Sequence, residues 1–253
     1  MERVRLKIVT FNIRCDTAEN TAPRFALAKK RIADEKPDLI GFQEVRDCQR
    51  ELLEREMPEY ALVGYGRDDD YTGEQCCIAY RRDTFRLLEF RQCWLSPTPY
   101  VAGSRYDGQS RCPRILTAVV LKHKDREEPI RYYNTHLEHI VEPVRVLQMR
   151  QIISTIAADY AAWPLPVILT GDMNSMPEDE PIRCVAEEAP IPLEDYSTAV
   201  RQSFHGYDGC ENCKLDYIFA DTGREHGDAY IWDDSADCMT ISDHYPVACD
   251  IIL

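Results

Sequence analysis

Apolar stretches of this chain run repeatedly into a residue that can ligate a metal or handle a proton. "IVTFN" ends at Asn12, "LIGFQE" at Glu44, "YYNTH" at Asn134 and His136, and "VILTGDMN" at Asp172 and Asn174. Asp216 opens "DYIFA", and "SDHYPV" sets Asp243 and His244 before the last apolar run. Each alone has a structural explanation, since Asn and Asp serve turns for backbone reasons. Glu44 resists it, because a carboxylate rarely ends a fully apolar run without a partner. Six such events in one chain point to a shared purpose. Carboxylates suit a hard divalent cation, amides orient a water or phosphate, and two histidines supply charge and protons. Mg2+ binds through one or two carboxylates, keeps several waters and takes further oxygens from a phosphate. Zinc spacing of Cys and His is absent from the set. An EF-hand counted from Asp172 also fails, with Pro177 where Gly is required and Arg183 where Glu is required.

The elements that must position these residues follow from periodicity. "VRLKIVTFNI" alternates as a strand, "APRFALAKKRIADEKPD" reads as a helix stopped near Pro37, and "DLIGFQEV" as a short buried strand. "CQRELLERE" is helical, and "YALVGYG", "QCCIAYR" and "FRLLEFRQCWL" are strands. Ser96 to Pro113 is irregular, and "RILTAVVLKHK" with "IRYYNTHL" predicts a hairpin across Asp125–Pro129. "EPVRVLQMRQIISTIAADYAAW" predicts a helix with Pro near its start and Val146, Met149, Ile153, Ile156 and Tyr160 on one face. "PVILT" is a strand that Gly171 is expected to bend, and Glu178, Asp179 and Glu180 cap the helix "DEPIRCVAEE". "LDYIFA", "DAYIW" and "YPVACDIIL" complete the strands. With no repeat, linker or composition break, residues 1–253 are expected to form one domain, a large α/β sandwich with helices covering mixed sheets.

Charge narrows the partners. The formal net charge is −14, and from Gly171 onward 19 Asp/Glu stand against 4 Lys/Arg. No broad basic face of the kind that binds long duplexes non-specifically is visible. No tract is long enough to span a membrane. The N-terminus enters a strand pattern without a signal peptide's apolar core, so a cytoplasmic location is expected. The 11 cysteines are scattered through apolar segments and fit reduced structural thiols. "CENC", Cys210 to Cys213, is a lone C-x-x-C and a weak zinc signal. No protein partner is readable.

The ordered set "TFNIR", "GFQEV", "NTHLEH", "TGDMNSMP", "LDYIF" and "SDHYPV" resembles the endonuclease/exonuclease/phosphatase (DNase I-like) superfamily over essentially the whole chain. The resemblance implies a four-layer α/β sandwich, two packed mixed sheets with helices outside and the site at one edge. It implies Mg2+, with Mn2+ as a substitute, held by Glu44, with Asn12 orienting the metal shell and Asp243 completing it. By the same resemblance Asp172 positions and deprotonates the attacking water and Asn174 holds a phosphate oxygen. His244 is oriented by Asp216, and His136 contacts a non-bridging oxygen. Both histidines, if cationic, would add charge at the phosphorus centre. Which of Asp172 and His244 is the base stays open on sequence, with Asp172 favoured.

"GYGRDDDYTGEQCCIAYRRDTF", "CWLSPTP" and "RCPRILTAVVL" are similar to a bacterial branch related to deadenylase-like and tyrosyl-DNA phosphodiesterase-like members. Within these motifs Arg114 is expected to contact substrate phosphate, with Asn134 as a further substrate-binding residue. Trp94, Tyr100 and Tyr106, with Arg105 and Arg111, either stack a base and meet phosphates or merely pack the loop. The implied activity is a phosphodiesterase or nuclease on a small or single-stranded nucleotide-like substrate. A phosphomonoesterase on a sugar or inositol phosphate is the alternative, and a phosphate-binding protein without turnover is the reading outside catalysis.

Overall fold

The computed structural model describes residues 3–15, 18–206, 213–233, 235–236 and 239–253. The Cys210 end of the C-x-x-C motif lies outside the described residues. In chain order the elements are β1 (Arg5–Asn12), α1 (Ala18–Glu35), β2 (Leu39–Gln43), α2 (Asp47–Glu56), β3 (Tyr60–Val63), β4 (Ile78–Arg81) and β5 (Phe85–Trp94). Then come β6 (Ile115–His123), β7 (Ile130–His136), α3 (Glu142–Ala162), β8 (Val167–Asp172), α4 (Glu180–Glu188) and β9 (Leu193–Asp195). The chain closes with β10 (Asp216–Asp221), β11 (Tyr230–Ile231), β12 (Ser235–Ala236), β13 (Met239–Thr240) and β14 (Val247–Ile252).

Two six-stranded mixed sheets result, ordered β11-β14-β1-β2-β4-β3 and β5-β6-β7-β8-β10-β9. Strand alternation explains why they stack. Leu6 and Ile8 of β1 pack with Leu39, Ile130, Tyr132 and Ile168 between the sheets. Val9 and Phe11 of the same strand face outward, onto Phe25, Ala28 and Ile32 of α1 and Leu53 of α2. The outer face of the second sheet, through Tyr133, Leu169 and Phe219, meets Val146, Met149, Ile152 and Ile156 of α3 and Ile182 and Val185 of α4. Strands buried on both faces need this double cover, and each fully buried aliphatic or Phe side chain contributes about 1.5–3 kcal/mol. The fold is the four-layer α/β sandwich that the motifs imply.

Three local expectations change. Helix α1 begins at Ala18 and runs through Pro23. Tyr160 is 38 % exposed, and Val144, Gln148 and Ile152 join the buried face of α3 instead. Gly171 is not the bend. It lies inside β8, where an added Cβ would sit 2.5 Å from the Thr135 carbonyl oxygen. The turn comes later, at Asn174 with φ 47°.

Candidate active site

Topology brings six strand ends to one edge. β1 and β2 run parallel, as do β7 and β8, so Asn12, Glu44, His136 and Asp172 follow carboxyl ends. β10 is antiparallel to β8 and β14 to β1, so Asp216 and the segment before Val247 reach the same edge from their amino ends. Register then aligns a row across three strands: His136 pairs with Asp172, and Asp172 with Asp216.

Asn12 ties the sheets together. Its Nδ2 donates to Glu44 Oε1 at 3.0 Å and to Asp172 Oδ2 at 3.0 Å, while Oδ1 accepts the Arg14 N–H at 2.9 Å. Glu44 takes a left-handed backbone, φ 63°, which costs a non-glycine residue roughly 1–2 kcal/mol. That turn lets its Oε2 accept the Cys15 N–H at 2.8 Å. Asn174, whose side chain tolerates the left-handed region better, donates its N–H to Asp172 Oδ1 at 2.9 Å and its Nδ2 to the Leu137 carbonyl at 3.0 Å. His244 Nδ1 lies 2.8 Å from Asp216 Oδ2, and its Nε2 is 3.7 Å from Asp172 Oδ2. His136 Nε2 is 3.4 Å from the same Asp172 oxygen.

Electrostatics separates these groups into roles. Burial raises the Asp172 carboxyl and Asp216 adds to it, while His244 and the bonds from Asn12 and Asn174 oppose; it rests at about 7. Burial alone would depress His244, but Asp216 and then Asp172 override it and lift the imidazolium to about 10. His136 goes the other way: burial, then Arg114 and Arg67, hold it well below its ordinary value. It is therefore neutral, and of the two histidines only His244 carries charge near neutral pH. Burial disfavours the Glu44 anion, yet the Cys15 N–H and the Asn12 amide outweigh it and keep the carboxylate ionised.

Two groups of side chains bring ligand atoms within 4.8 Å of one another and could hold a cation: Cys15, Glu44 and Glu74, and Asp172, Asp216 and His244. In the second group the His244 nitrogen facing Asp216 is already engaged. The first offers two carboxylates, the donor set of a hard cation. Glu74 is clamped there by both terminal nitrogens of Arg67, at 2.7 and 2.9 Å. Asp243, the expected completing ligand, is instead bound by Arg14 Nη1 at 2.6 Å and the Ser242 hydroxyl at 3.1 Å.

Arg114 lines a narrow recess with Glu44, Arg67, Glu74 and His136. Asn134 is not brought to this site. Between the sheets its Oδ1 accepts from Gln43 and Thr170 and its Nδ2 donates to the Phe42 and Cys77 carbonyls, which uses up the amide. The loop aromatics mostly pack: Trp94 is buried with its indole N–H on the Arg67 carbonyl, and the Tyr106 hydroxyl donates to Gln151. Arg105 donates to the Ser110 carbonyl, and Tyr100 stays 82 % exposed. Tyr100 borders a cavity of about 560 Å³ between β5, β6 and α3, lined among others by Phe90, Leu116 and Thr155.

Glu74 and Arg67 escaped sequence reading, although a usable signal exists. Glu74 precedes β4, and β4 runs antiparallel to β2; its leading residues therefore reach the same edge as Glu44, just as Asp216 does.

A sequence profile of the endonuclease/exonuclease/phosphatase family matches residues 9–244. A search of curated protein sequences returns no match. Among solved structures, an endonuclease/exonuclease/phosphatase from Bacteroides vulgatus superposes with TM-score 0.88 at 27% identity, covering 98% of both chains. The mannosyl-6-phosphatase of Bacteroides thetaiotaomicron gives 0.87 at 24% identity, over 98% of this chain and 100% of that one. TDP2 of D. rerio, complexed with a single-strand DNA product, gives 0.79 at 18% identity over 98% of each; the last two likenesses are of fold. The chain belongs to the endonuclease/exonuclease/phosphatase family, a family of phosphoester hydrolases.

Proposed function

We propose that this site hydrolyses a phosphoester by in-line attack of a water that Asp172 positions and deprotonates. The observation that carries the reading is the setting of Asp172, fixed by Asn12 and Asn174 and placed within 3.7 Å of both His136 and His244. A carboxyl poised at about 7 is matched to accept a proton near neutral pH. His244, raised to about 10, is already protonated there; that supports Asp172 as the base and His244 as the cation stabilising charge at phosphorus. Neutral His136 acts through hydrogen bonding rather than charge. Asn174 is proposed to hold a phosphate oxygen, and Asp216 to fix the His244 ring through Nδ1.

The residues fit a divalent cation. Glu44 is ionised and Glu74 faces the same space; Asn12 orients Glu44, and Asp243 acts indirectly by holding Arg14. Mg2+, or Mn2+ in its place, would supply Lewis-acid stabilisation of a phosphate oxygen and the leaving oxyanion. Arg114 is proposed to meet the substrate phosphate, since two of its buried nitrogens have no protein partner.

The sequence favours a nucleotide-like phosphodiester. A phosphomonoester of a sugar is the second reading, favoured by the narrowness of the recess at Arg114 and by the burial of Trp94, which withdraws a stacking surface. Mg2+-dependent turnover of bis-p-nitrophenyl phosphate and p-nitrophenyl phosphate tests both. Glu44→Ala and Asp172→Asn should each lower the rate by about 10²–10⁴-fold. Wild-type protein inactive across mono- and diesters with Mg2+ and Mn2+ would leave only phosphate binding.

A further inference from the structure

Arg114 is only 3 % exposed, and its pairing is unusual for a buried guanidinium. Nη2 lies 3.1 Å from His139 Nδ1, while Nε and Nη1 are buried without a partner. Arginine has donors only, so the imidazole nitrogen in this bond must accept. A neutral His139 then carries its proton on Nε2.

The obvious competitor for Nδ1 is Glu138, whose Oε1 is 3.7 Å away, beyond hydrogen-bond reach. Its carboxylate is already engaged by the Ser110 hydroxyl at 2.7 Å and the Ile140 N–H at 3.0 Å. The backbone carrying His139 is also pinned. Leu137 donates its N–H to the Asp172 carbonyl at 3.0 Å, and Glu138 donates its own to Gln148 Oε1 at 2.9 Å. His139 is thus a half-exposed ring on a fixed loop, with one nitrogen committed to the arginine beneath it. Burial and Arg114 lower its pKa, which agrees with the neutral form.

We propose that His139 is the positioning residue of the phosphate recess, accepting Arg114 Nη2–H at Nδ1 so that Nε and Nη1 stay available to an oxyanion beside Glu44 and His136. This rests on the phosphoester reading of the site. A buried cation with unmet donors is costly unless a ligand meets them, and a guanidinium N–H to a phosphoryl oxygen is one of the stronger, charge-assisted hydrogen bonds. Among the described residues no other side chain hydrogen-bonds to Arg114; Arg67 repels its charge, and Glu74 attracts it.

The test uses the intact chain with Mg2+, inorganic phosphate as ligand in calorimetry and p-nitrophenyl phosphate as substrate. His139→Phe should weaken phosphate binding roughly tenfold or more, with KM rising in step and kcat falling less. His139→Asn, whose Oδ1 stands near the Nδ1 position, should restore most of the affinity. Nitrogen NMR should find Nδ1 unprotonated and Nε2 protonated near neutral pH. Wild-type phosphate affinity in His139→Phe, equal loss in both variants, no phosphate binding by the wild type, or the opposite tautomer would each overturn the proposal. Because binding is read without turnover, intact phosphate binding with the expected variant pattern but no hydrolysis would defeat the catalytic reading and leave this one standing.

Discussion

Asp172 and Asp216 stand opposite each other in an antiparallel pair, a placement in which two ionised carboxylates repel. The imidazolium of His244 relieves this from 2.8 Å on one side and 3.7 Å on the other. Because that pairing exists only in the folded chain, it links stability to pH. His244 is raised from its ordinary 6.5 to about 10; its stabilisation is complete below the lower value and disappears as pH rises through the upper one. The Asp172 carboxyl, raised from 3.8 to about 7, has the same sign over its own, lower window. In chelator, the melting temperature is expected to fall as pH rises from about 6.5 to 8, below the ordinary range of thiols and phenols. His244→Gln should flatten the profile across that window. A wild-type profile that is already flat there would show that the Asp216–His244 pair is not charged as argued.

At the scale of elements, the site is built half on each sheet. Asn12 and Glu44 follow strands of the first, His136, Asp172 and Asp216 belong to the second, and the Asn12 amide spans the join. On the proposed mechanism, sheet separation bears on the chemistry, and Gly41 helps to set it. A Cβ there would meet Thr170 Oγ1, and would lie 2.5 Å from Asn134 Oδ1 and 2.7 Å from the Tyr132 hydroxyl. Gly41→Ala should cost about 1–3 kcal/mol by overpacking, seen as a lower urea midpoint, and should lower kcat by loosening the Asn12–Asp172 contact. A variant with a lowered midpoint and unchanged kcat would uncouple sheet spacing from the chemistry. Asn12, Glu44, His136, Asp172, Asp216 and His244, picked out by the strand-end pattern, lie together in the structure because each terminates or opens an apolar run that the sheet buries. Asn134 shared that pattern, yet it lies two residues inside β7, where an amide serves the interior. Glu74 and Arg67 lie in the irregular segment after β3, so periodicity does not reveal them; only the antiparallel pairing of β4 with β2 points to this edge. The Arg114–His139 bond joins residues 25 apart, a pairing that no local spacing encodes.

For the molecule as a whole, the net charge of −14 raises the question of whether divalent cations bind one built site or a diffuse acidic surface. No helix among the described residues is long and apolar enough to cross a membrane. Both kinds of binding stabilise the folded chain, but they differ in dependence on salt and on single residues. A built site adds RT ln(1 + [L]/Kd), about 2.7 kcal/mol at one hundred times Kd. In a chain of this length that is roughly 5–10 °C of melting temperature. Diffuse binding is largely screened by salt near physiological ionic strength and is shared among many carboxylates. Mg2+ added to chelator-treated protein at that ionic strength should therefore raise the melting temperature by that order. Glu44→Gln should remove most of the rise, and Glu74→Gln should reduce it. Asp243→Asn should preserve it, since the Asp243 carboxylate is held by Arg14 rather than facing Glu44 and Glu74. A shift that persists undiminished in Glu44→Gln would assign the cation to the acidic surface, and the divalent centre at this sheet edge would have to be abandoned.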